Sequence, residues 1–236
     1  MDEPGEAVIP RAATDGLMRT WASLFHNLEV EGVTAAGARL VEAYGQPHRH
    51  YHNLRHLTEV LAHIDELAPG AQDADHVRLA AWFHDVVYDP TRRDNEETSS
   101  TVALEVLGGL RMPAASCAAV ARLVQLTATH DPAPGDGDGA VLCDADLAVL
   151  GSEPARYDEY SEGVRREYAH LPAAVFAAGR ADVLGRLMGR DALFRTAAAQ
   201  LRWEARARAN MRRELERLSQ ARLDVPDSPG FPDLPC

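Results

Sequence analysis

The chain has 236 residues, of which 46% are hydrophobic and 6% aromatic, enough for one large globular domain with a well-buried core. Its formal net charge of −12 at pH 7 argues against a long nucleic acid or an anionic membrane surface as the main partner. The three cysteines have neither an even count nor metal-ligand spacing, which argues against a disulfide scaffold and a zinc ribbon.

Both ends of the chain are expected to lie outside the folded domain. Residues 1–13 are acidic and lack the basic and apolar regions of a signal peptide, so they are predicted to be a flexible leader. Residues 222–236 are rich in proline and aspartate and are predicted to be a flexible tail. No uninterrupted apolar stretch is long enough for a membrane helix. We therefore expect a cytoplasmic protein with a single domain at 14–221.

Between these ends the sequence predicts one helix after another. Apolar residues recur at helical spacing in "LMRTWASLF", "AGARLVEAY", "NLRHLTEVLAHIDEL" and "HVRLAAWFHDVVY", and five similar segments follow. The last predicted helix, at roughly 194–218, is long and carries interspersed arginines. It either closes the bundle or pairs with a second copy in a homodimer. The expected fold class is all-α.

One of these helical segments carries a buried-looking pair of polar residues. In "LAAWFHDVVYDP", His84 and Asp85 stand among Leu, Ala, Trp, Phe and Val. An ionised carboxylate beside an imidazole in apolar surroundings is destabilising by several kcal/mol unless something compensates for its charge. A bound cation would do so, and the pair therefore predicts a metal site.

Three other segments offer metal-ligating side chains. His52 and His56 are four residues apart and share a helix face if the helix already includes His52. Asp144 and Asp146 lie between apolar residues in "VLCDADLAVL", and His130 stands near the end of "LTATHDP". A mixed set of His and Asp with open positions for water and substrate suits manganese, iron or zinc.

The order of these residues resembles that of a known superfamily. His56, then His84-Asp85 after 28 residues, then a distant Asp in an apolar segment is similar to the HD superfamily of metal-dependent phosphohydrolases. More narrowly, "YHNLRHL", "WFHDVVYD", "DNEETSS", "CDADLAVLG" and "VRREY" together resemble a bacterial group of HD-domain proteins predicted to be phosphohydrolases of unknown substrate. The resemblance covers about residues 44–218. It implies an HD-domain helical bundle with additional C-terminal helices.

The resemblance also implies a metal-ligand set, which consists of His56, His84, Asp85 and Asp144. It implies one or two divalent ions, with manganese, iron, nickel, zinc and magnesium as alternatives. Asp146 could take the place of Asp144; we prefer Asp144. His130 or His52 could supply ligands for a second ion, or His52 could contact substrate and His130 could complete a helix C-terminus.

For the reaction, a metal-activated water would attack a phosphoester or phosphoanhydride. Asp89, one helical turn beyond Asp85, is a candidate general base, and Glu96 and Glu97 are its rivals. These residues could instead have structural roles. Asp89 could be a helix-end residue, and Glu96 or Glu97 could complement the dipole at the N-terminus of the following helix. The arginines nearest to the motifs could bind phosphate oxygens bidentately; they are Arg55, Arg92 and Arg93.

The expected function is therefore a metal-dependent hydrolase acting on a small phosphorylated molecule or nucleotide. Two alternatives stay open. A non-haem di-iron oxygenase on the same fold would use the surplus histidines for a second iron. A non-catalytic, metal-stabilised regulatory module would have every coordination position of its metal filled by protein.

Overall fold

The computed structural model describes residues 11–25 and 30–223. The predicted leader lies outside the described residues except for its last three, which begin the first helix. The predicted tail likewise lies outside them except for residues 222 and 223, which end the last helix.

The predicted all-α fold is confirmed, since the described residues form helices and include no β-strand. In chain order the helices are α1 (Arg11–Ser23), α2 (Val30–Tyr44), α3 (Leu54–Leu67), α4 (Ala74–Phe83), α5 (Asn95–Gly109), α6 (Ala114–Leu126), α7 (Gly137–Asp146), α8 (Pro154–Glu167), α9 (Ala173–Met188), α10 (Ala197–Ala199) and α11 (Ala205–Leu223). Short 3-10 turns occupy Ala68–Gly70 and Leu147–Gly151. Within the described ranges, no helix is both long and apolar enough to cross a membrane.

Helix α3 begins later than the spacing argument for its histidines assumed. The side chain of Asn53 accepts hydrogen bonds from the backbone N–H groups of Arg55 and His56, and this cap fixes the helix start at Leu54. His52 therefore precedes the helix, and its place near His56 does not come from helical spacing. The two imidazole centroids are nevertheless 5.8 Å apart.

Helix α4 runs through the core of the bundle. All five side chains from Leu79 to Phe83 are at most 1% exposed. Trp21 of α1 packs edge-on against Trp82 and Phe83, with ring centroids 5.3 Å and 6.0 Å apart. Gly37 of α2 lets Trp21 approach, because a Cβ there would lie 2.5 Å from the indole. Since α4 is covered on all sides from Leu79 to Phe83, His84 at its C-terminus is also buried.

The C-terminal helices close the bundle around a buried ion pair. Arg180 of α9 and Glu214 of α11 are 2.9 Å apart, and their side chains are only 3% and 4% exposed. Tyr157 and Ser161 of α8 donate further hydrogen bonds to Glu214. A π-helical turn at Gln200–Glu204 joins α10 to α11, so the final helical segment is continuous from 197 to 223. It packs within its own chain, and pairing with a second copy stays a prediction.

Candidate metal centre

His84 follows the last residue of α4, and one of its ring nitrogens is hydrogen-bonded to the backbone of that helix. His84 is 1% exposed, and its Nδ1 is 2.8 Å from the carbonyl oxygen of Ala81. A carbonyl can only accept a hydrogen bond, so Nδ1 carries the proton and Nε2 offers its lone pair. Histidine ligands of metals are commonly held in this way.

Three donor atoms converge in front of His84. Its Nε2 lies 3.1 Å from Nε2 of His56, which is 2% exposed on α3. Oδ1 of Asp146, the last residue of α7, lies 3.2 Å from the His56 nitrogen and 3.5 Å from the His84 nitrogen. All three donors lie within 4.8 Å of one another. We refer to these three residues as the metal cluster.

Asp85 adds a second carboxylate to the two imidazoles. Its Oδ2 lies 3.1 Å from Nε2 of His84 and 3.5 Å from Nε2 of His56. The backbone is held in place here, because Arg49 donates to the carbonyl oxygen of Asp85 at 2.6 Å and Tyr44 accepts its N–H at 3.2 Å. The turn after α4 therefore aims both members of the His84-Asp85 pair at one point.

This donor set fits a divalent cation. Ligands arranged tetrahedrally around an ion at 2.0–2.1 Å are about 3.4 Å apart, and the donor distances given above run from 3.1 Å to 3.5 Å. Two imidazole nitrogens that face each other at 3.1 Å need a proton or a cation between them. The two nitrogens and the Asp146 oxygen suit an ion of borderline to hard character, and Asp85 adds a second carboxylate near both nitrogens.

The pKa shifts of the metal cluster show how strongly these groups interact. Burial is the largest effect on His56 and lowers its pKa, but hydrogen bonds to Asp146 and Asp85 outweigh it and the pKa is raised. Burial raises the pKa of Asp146, yet the charge on His84 and the hydrogen bond with His130 hold that pKa well below its usual value. A cation would replace the protons of these imidazoles, and its binding would therefore release protons.

The structure corrects the choice between the two carboxylates of the DxD segment. Asp144 is 1% exposed, and its oxygens accept the backbone N–H groups of Arg195 and Thr196, both at 2.7 Å. Residues two apart project about 200° apart around a helix. Asp144 therefore faces the segment that precedes α10, and Asp146, not Asp144, faces the histidines.

His130 supports the metal cluster from the turn that follows α6. Its Nε2 lies 2.7 Å from Oδ2 of Asp146, the oxygen that does not face the other histidines. The backbone of His130 is left-handed, with φ at 48°. Arg190 donates to the carbonyl oxygens of His130 and Thr129, at 2.8 Å and 2.7 Å. His130 thus orients Asp146, as a residue behind a metal ligand does.

A cavity opens beside the metal cluster and contains one of the three carboxylates predicted as a general base. Glu96, in the first turn of α5, lines this cavity, and burial together with the charge of Asp85 raises its pKa. Glu97 is exposed and does not line the cavity. Three tyrosines also line the cavity, namely Tyr51, Tyr88 and Tyr160.

The expectation for Asp89 is wrong because α4 ends at Phe83, so helical spacing does not carry Asp89 toward Asp85. Asp89 does not line the cavity. Its Oδ1 instead accepts the N–H and the hydroxyl of Thr91, at 2.8 Å and 2.7 Å. It acts as a turn residue.

The arginines expected to bind phosphate lie elsewhere. Arg55 is exposed and paired with Glu59 and Glu159, at 2.9 Å and 3.0 Å. Arg92 is paired with Asp94 at 2.7 Å. Neither of them lines the cavity, and Arg93 does not line it either. These arginines are adjacent to the motifs in sequence, but their side chains are exposed on the surface and do not reach the cavity.

Sequence reasoning missed Glu167, the last residue of α8. Its Oε1 accepts the backbone N–H groups of Tyr51 and His52, at 2.7 Å and 3.0 Å. Its Oε2 accepts Nδ1–H of His52 at 2.7 Å and the hydroxyl of Tyr88 at 2.8 Å. Burial alone would raise the pKa of Glu167, but His52 and these hydrogen bonds lower it to about 2. The only sequence signal was its place in "VRREY", one of the five motifs.

Comparison with known proteins adds the fold alone. No family model and no curated protein matches the chain. The chain is similar to a crystal structure of a protein from Lactobacillus plantarum that was a structural-genomics target. The TM-score is 0.53, the identity is 19%, and the match covers 84% of this chain and 98% of that one. At this identity the match shows a shared helical architecture.

Proposed function

We propose that the protein is a metal-dependent phosphohydrolase that cleaves a phosphoester or phosphoanhydride of a small phosphorylated molecule. The observation that carries the proposal is the convergence of His56, His84 and Asp146, with Asp85 on the same two imidazoles. The cluster adjoins a cavity that also contains Glu96. The resemblance of the five sequence motifs to HD-domain phosphohydrolases supports the reaction class.

In this proposal, the metal cluster and Asp85 hold the ion. A divalent ion in this position would lower the pKa of a bound water and polarise a phosphoryl oxygen. Glu96 accepts the proton of the attacking water, because its raised pKa moves it towards the range of an effective general base. His130 holds Oδ2 of Asp146, so that Oδ1 stays directed at the histidines.

Two features favour this reading over the alternatives. A second iron would need the surplus imidazoles, and Nε2 of one of them, His130, is already turned to Oδ2 of Asp146 at 2.7 Å. This favours one ion over the di-iron oxygenase. A regulatory metal would be enclosed by protein ligands, whereas His84, Asp85 and Asp146 all border the cavity.

The first experiment measures metal content by elemental mass spectrometry after purification without chelator. It compares the wild type with His84→Ala/Asp85→Ala and with a matched control, Asp75→Ala/His76→Ala. The control removes an adjacent Asp-His pair from the surface end of α4, where Asp75 pairs with Arg78 and His76 with Asp73. We expect about one divalent ion per wild-type and control chain, and none in the site variant.

The second experiment measures hydrolysis of p-nitrophenyl phosphate and of nucleotides by protein reconstituted with manganese, iron, nickel, zinc or magnesium. Turnover by the wild type and the control but not by the site variant supports the proposal. Two irons per chain with oxygen consumption would support the oxygenase instead. A stoichiometric metal without any turnover would support the regulatory module.

A further inference from the structure

The wall of the cavity beside the metal cluster includes an imidazole that the proposed mechanism does not use. His52 lines the cavity together with Tyr88, and the two rings are stacked with centroids 4.2 Å apart. The His52 side chain is 10% exposed. It lies close to the metal cluster, because its ring centroid is 5.8 Å from that of His56.

The orientation of His52 is fixed by Glu167. This carboxylate is fully buried and accepts four hydrogen bonds, two from backbone N–H groups, one from Tyr88 and one from Nδ1–H of His52. Glu167 has no lone pair left for a metal in this arrangement. The proton of His52 is therefore held on Nδ1, and Nε2 is the nitrogen available for other contacts.

Nε2 of His52 lacks a partner within the part of the chain that the structure describes. The hydrogen bonds of His52 there involve its backbone and Nδ1 only. The other two cavity imidazoles are already engaged, since His84 belongs to the metal cluster and Nε2 of His130 contacts Asp146. His52 is thus the cavity imidazole whose Nε2 is engaged neither in the metal cluster nor by a carboxylate.

Apart from its histidines, no described side chain that lines the cavity is basic. None of the described side chains that line it is an arginine, and the sequence contains no lysine. Asp85, Glu96 and Asp146 add negative charge to the walls. A phosphoryl group entering this cavity needs a hydrogen-bond partner other than a guanidinium, and an imidazole held by a carboxylate can supply one.

We propose that His52 is a substrate-binding residue, whose Nε2 forms a hydrogen bond with a phosphoryl oxygen while Glu167 holds Nδ1–H on the other side of the ring. The inference rests on the proposed function, because it assumes a phosphorylated substrate. A compact phosphomonoester suits a cavity with acidic walls and no arginine better than a polyphosphate, which carries more negative charge.

The test measures binding of inorganic phosphate to zinc-loaded protein by calorimetry. It compares the wild type with His52→Gln, whose amide can still donate to Glu167 but lacks the second ring nitrogen, and with His52→Asn. The control is His76→Gln, a histidine on α4 that does not line the cavity. Since a charge-assisted hydrogen bond is lost, we expect phosphate to bind at least about tenfold more weakly to both His52 variants and unchanged to the control.

The outcomes separate this proposal from the proposed function. Wild type that binds zinc but no phosphate overturns both. Wild type that binds phosphate, with His52 variants that bind it equally well, overturns only the role of His52. If the His52 variants also lose zinc, His52 is a metal ligand and this inference is wrong. Zinc retained at wild-type stoichiometry with weakened phosphate binding supports it.

The positioning role of Glu167 has its own readout. In Glu167→Gln, the two backbone N–H groups of Tyr51 and His52 select the amide oxygen as their acceptor, so the amide NH₂ faces Nδ1 of His52. The proton of a neutral His52 then moves to Nε2. ¹⁵N NMR of labelled imidazoles in zinc-loaded, phosphate-free protein should show this exchange of tautomers. Unchanged ¹⁵N shifts of His52 would overturn the role of Glu167.

Discussion

At the scale of single residues, Asp144 and Asp146 of the DxD segment have different binding partners. Asp146 faces the histidines, whereas Asp144 accepts two backbone N–H groups in front of α10. Asp146→Ala is therefore expected to abolish metal binding. Asp144→Ala is expected to retain the metal but to lower the free energy of unfolding by about 1–3 kcal/mol, because it leaves buried N–H groups without an acceptor.

Elemental mass spectrometry and urea unfolding of the two Ala variants check this prediction. The substitutions remove the same atoms two positions apart on one helix, so each serves as the control for the other. Loss of metal in Asp144→Ala with retention in Asp146→Ala would restore the assignment that the sequence favoured.

A second comparison concerns the neighbouring glutamates at the start of α5. Glu96 lines the cavity and Glu97 does not. Glu96→Gln should lower kcat for p-nitrophenyl phosphate by about 10²–10⁴-fold, the usual contribution of a general base, with no change in metal content. Glu97→Gln should leave kcat unchanged. Equal activity of both variants in steady-state assays would exclude Glu96 as the base.

At the scale of helices, the ion pair between α9 and α11 holds the C-terminal part of the bundle together. Arg180→Met leaves Glu214 buried without its cation, and breaking such a pair costs about 3–5 kcal/mol. Urea unfolding at pH 7 measures this loss. Arg186→Met, which removes an exposed arginine paired with Asp182 on the same helix, is the control and should change stability by less than about 1 kcal/mol.

The pH dependence of this loss follows from Glu214. Burial raises the pKa of Glu214, but the charge of Arg180 and the hydrogen bonds from Arg180, Tyr157 and Ser161 outweigh burial, so that the pKa in the folded protein is lowered from its usual value. A lowered carboxyl pKa stabilises the fold above the unfolded-state value, and this contribution is lost as pH falls through the folded-state value. The stability difference between the wild type and Arg180→Met should therefore shrink at acid pH.

Helix boundaries explain which site residues the sequence could place. The apolar periodicity was sufficient to predict an all-α fold, and the His84-Asp85 pair in an apolar segment identified a buried polar site. The pattern did not reveal that α4 ends at Phe83, and Asp89 was misplaced for that reason. Asp144 and Asp146 both fit the motif. The sequence does not show that the backbone N–H groups of residues 195 and 196 bind Asp144, which is what distinguishes it from Asp146. Glu167 depends on contacts more than 100 residues away in sequence.

At the scale of the whole molecule, the metal cluster connects helices that are distant in sequence. His56 comes from α3, His84 from the end of α4 and Asp146 from the end of α7. Unfolding separates these donors, so binding of an ion here would be coupled to global stability. An ion at 100 times its Kd should stabilise the fold by about 2.7 kcal/mol, which corresponds to a rise in Tm of about 5–11 °C.

Calorimetric scans with and without zinc measure this shift, and a chelator should reverse it. His84→Ala/Asp85→Ala should show no zinc-dependent shift, whereas Asp75→Ala/His76→Ala should behave as the wild type. A zinc-dependent shift of equal size in the site variant would mean that the ion binds elsewhere in the chain.

The backbone between α9 and α10 also has a consequence for how the bundle opens. Asp144 holds the N–H groups of Arg195 and Thr196, while Arg190 holds the carbonyl oxygen of His130, which in turn contacts Asp146. The same segment packs Leu193 and Phe194, at 1% and 0% exposed, into the core. Opening there exposes fewer buried side chains than global unfolding does, and it would therefore require less free energy. In amide hydrogen exchange, Arg195 and Thr196 should become accessible before the core of α4, and they would report the first loosening of the backbone behind the metal cluster.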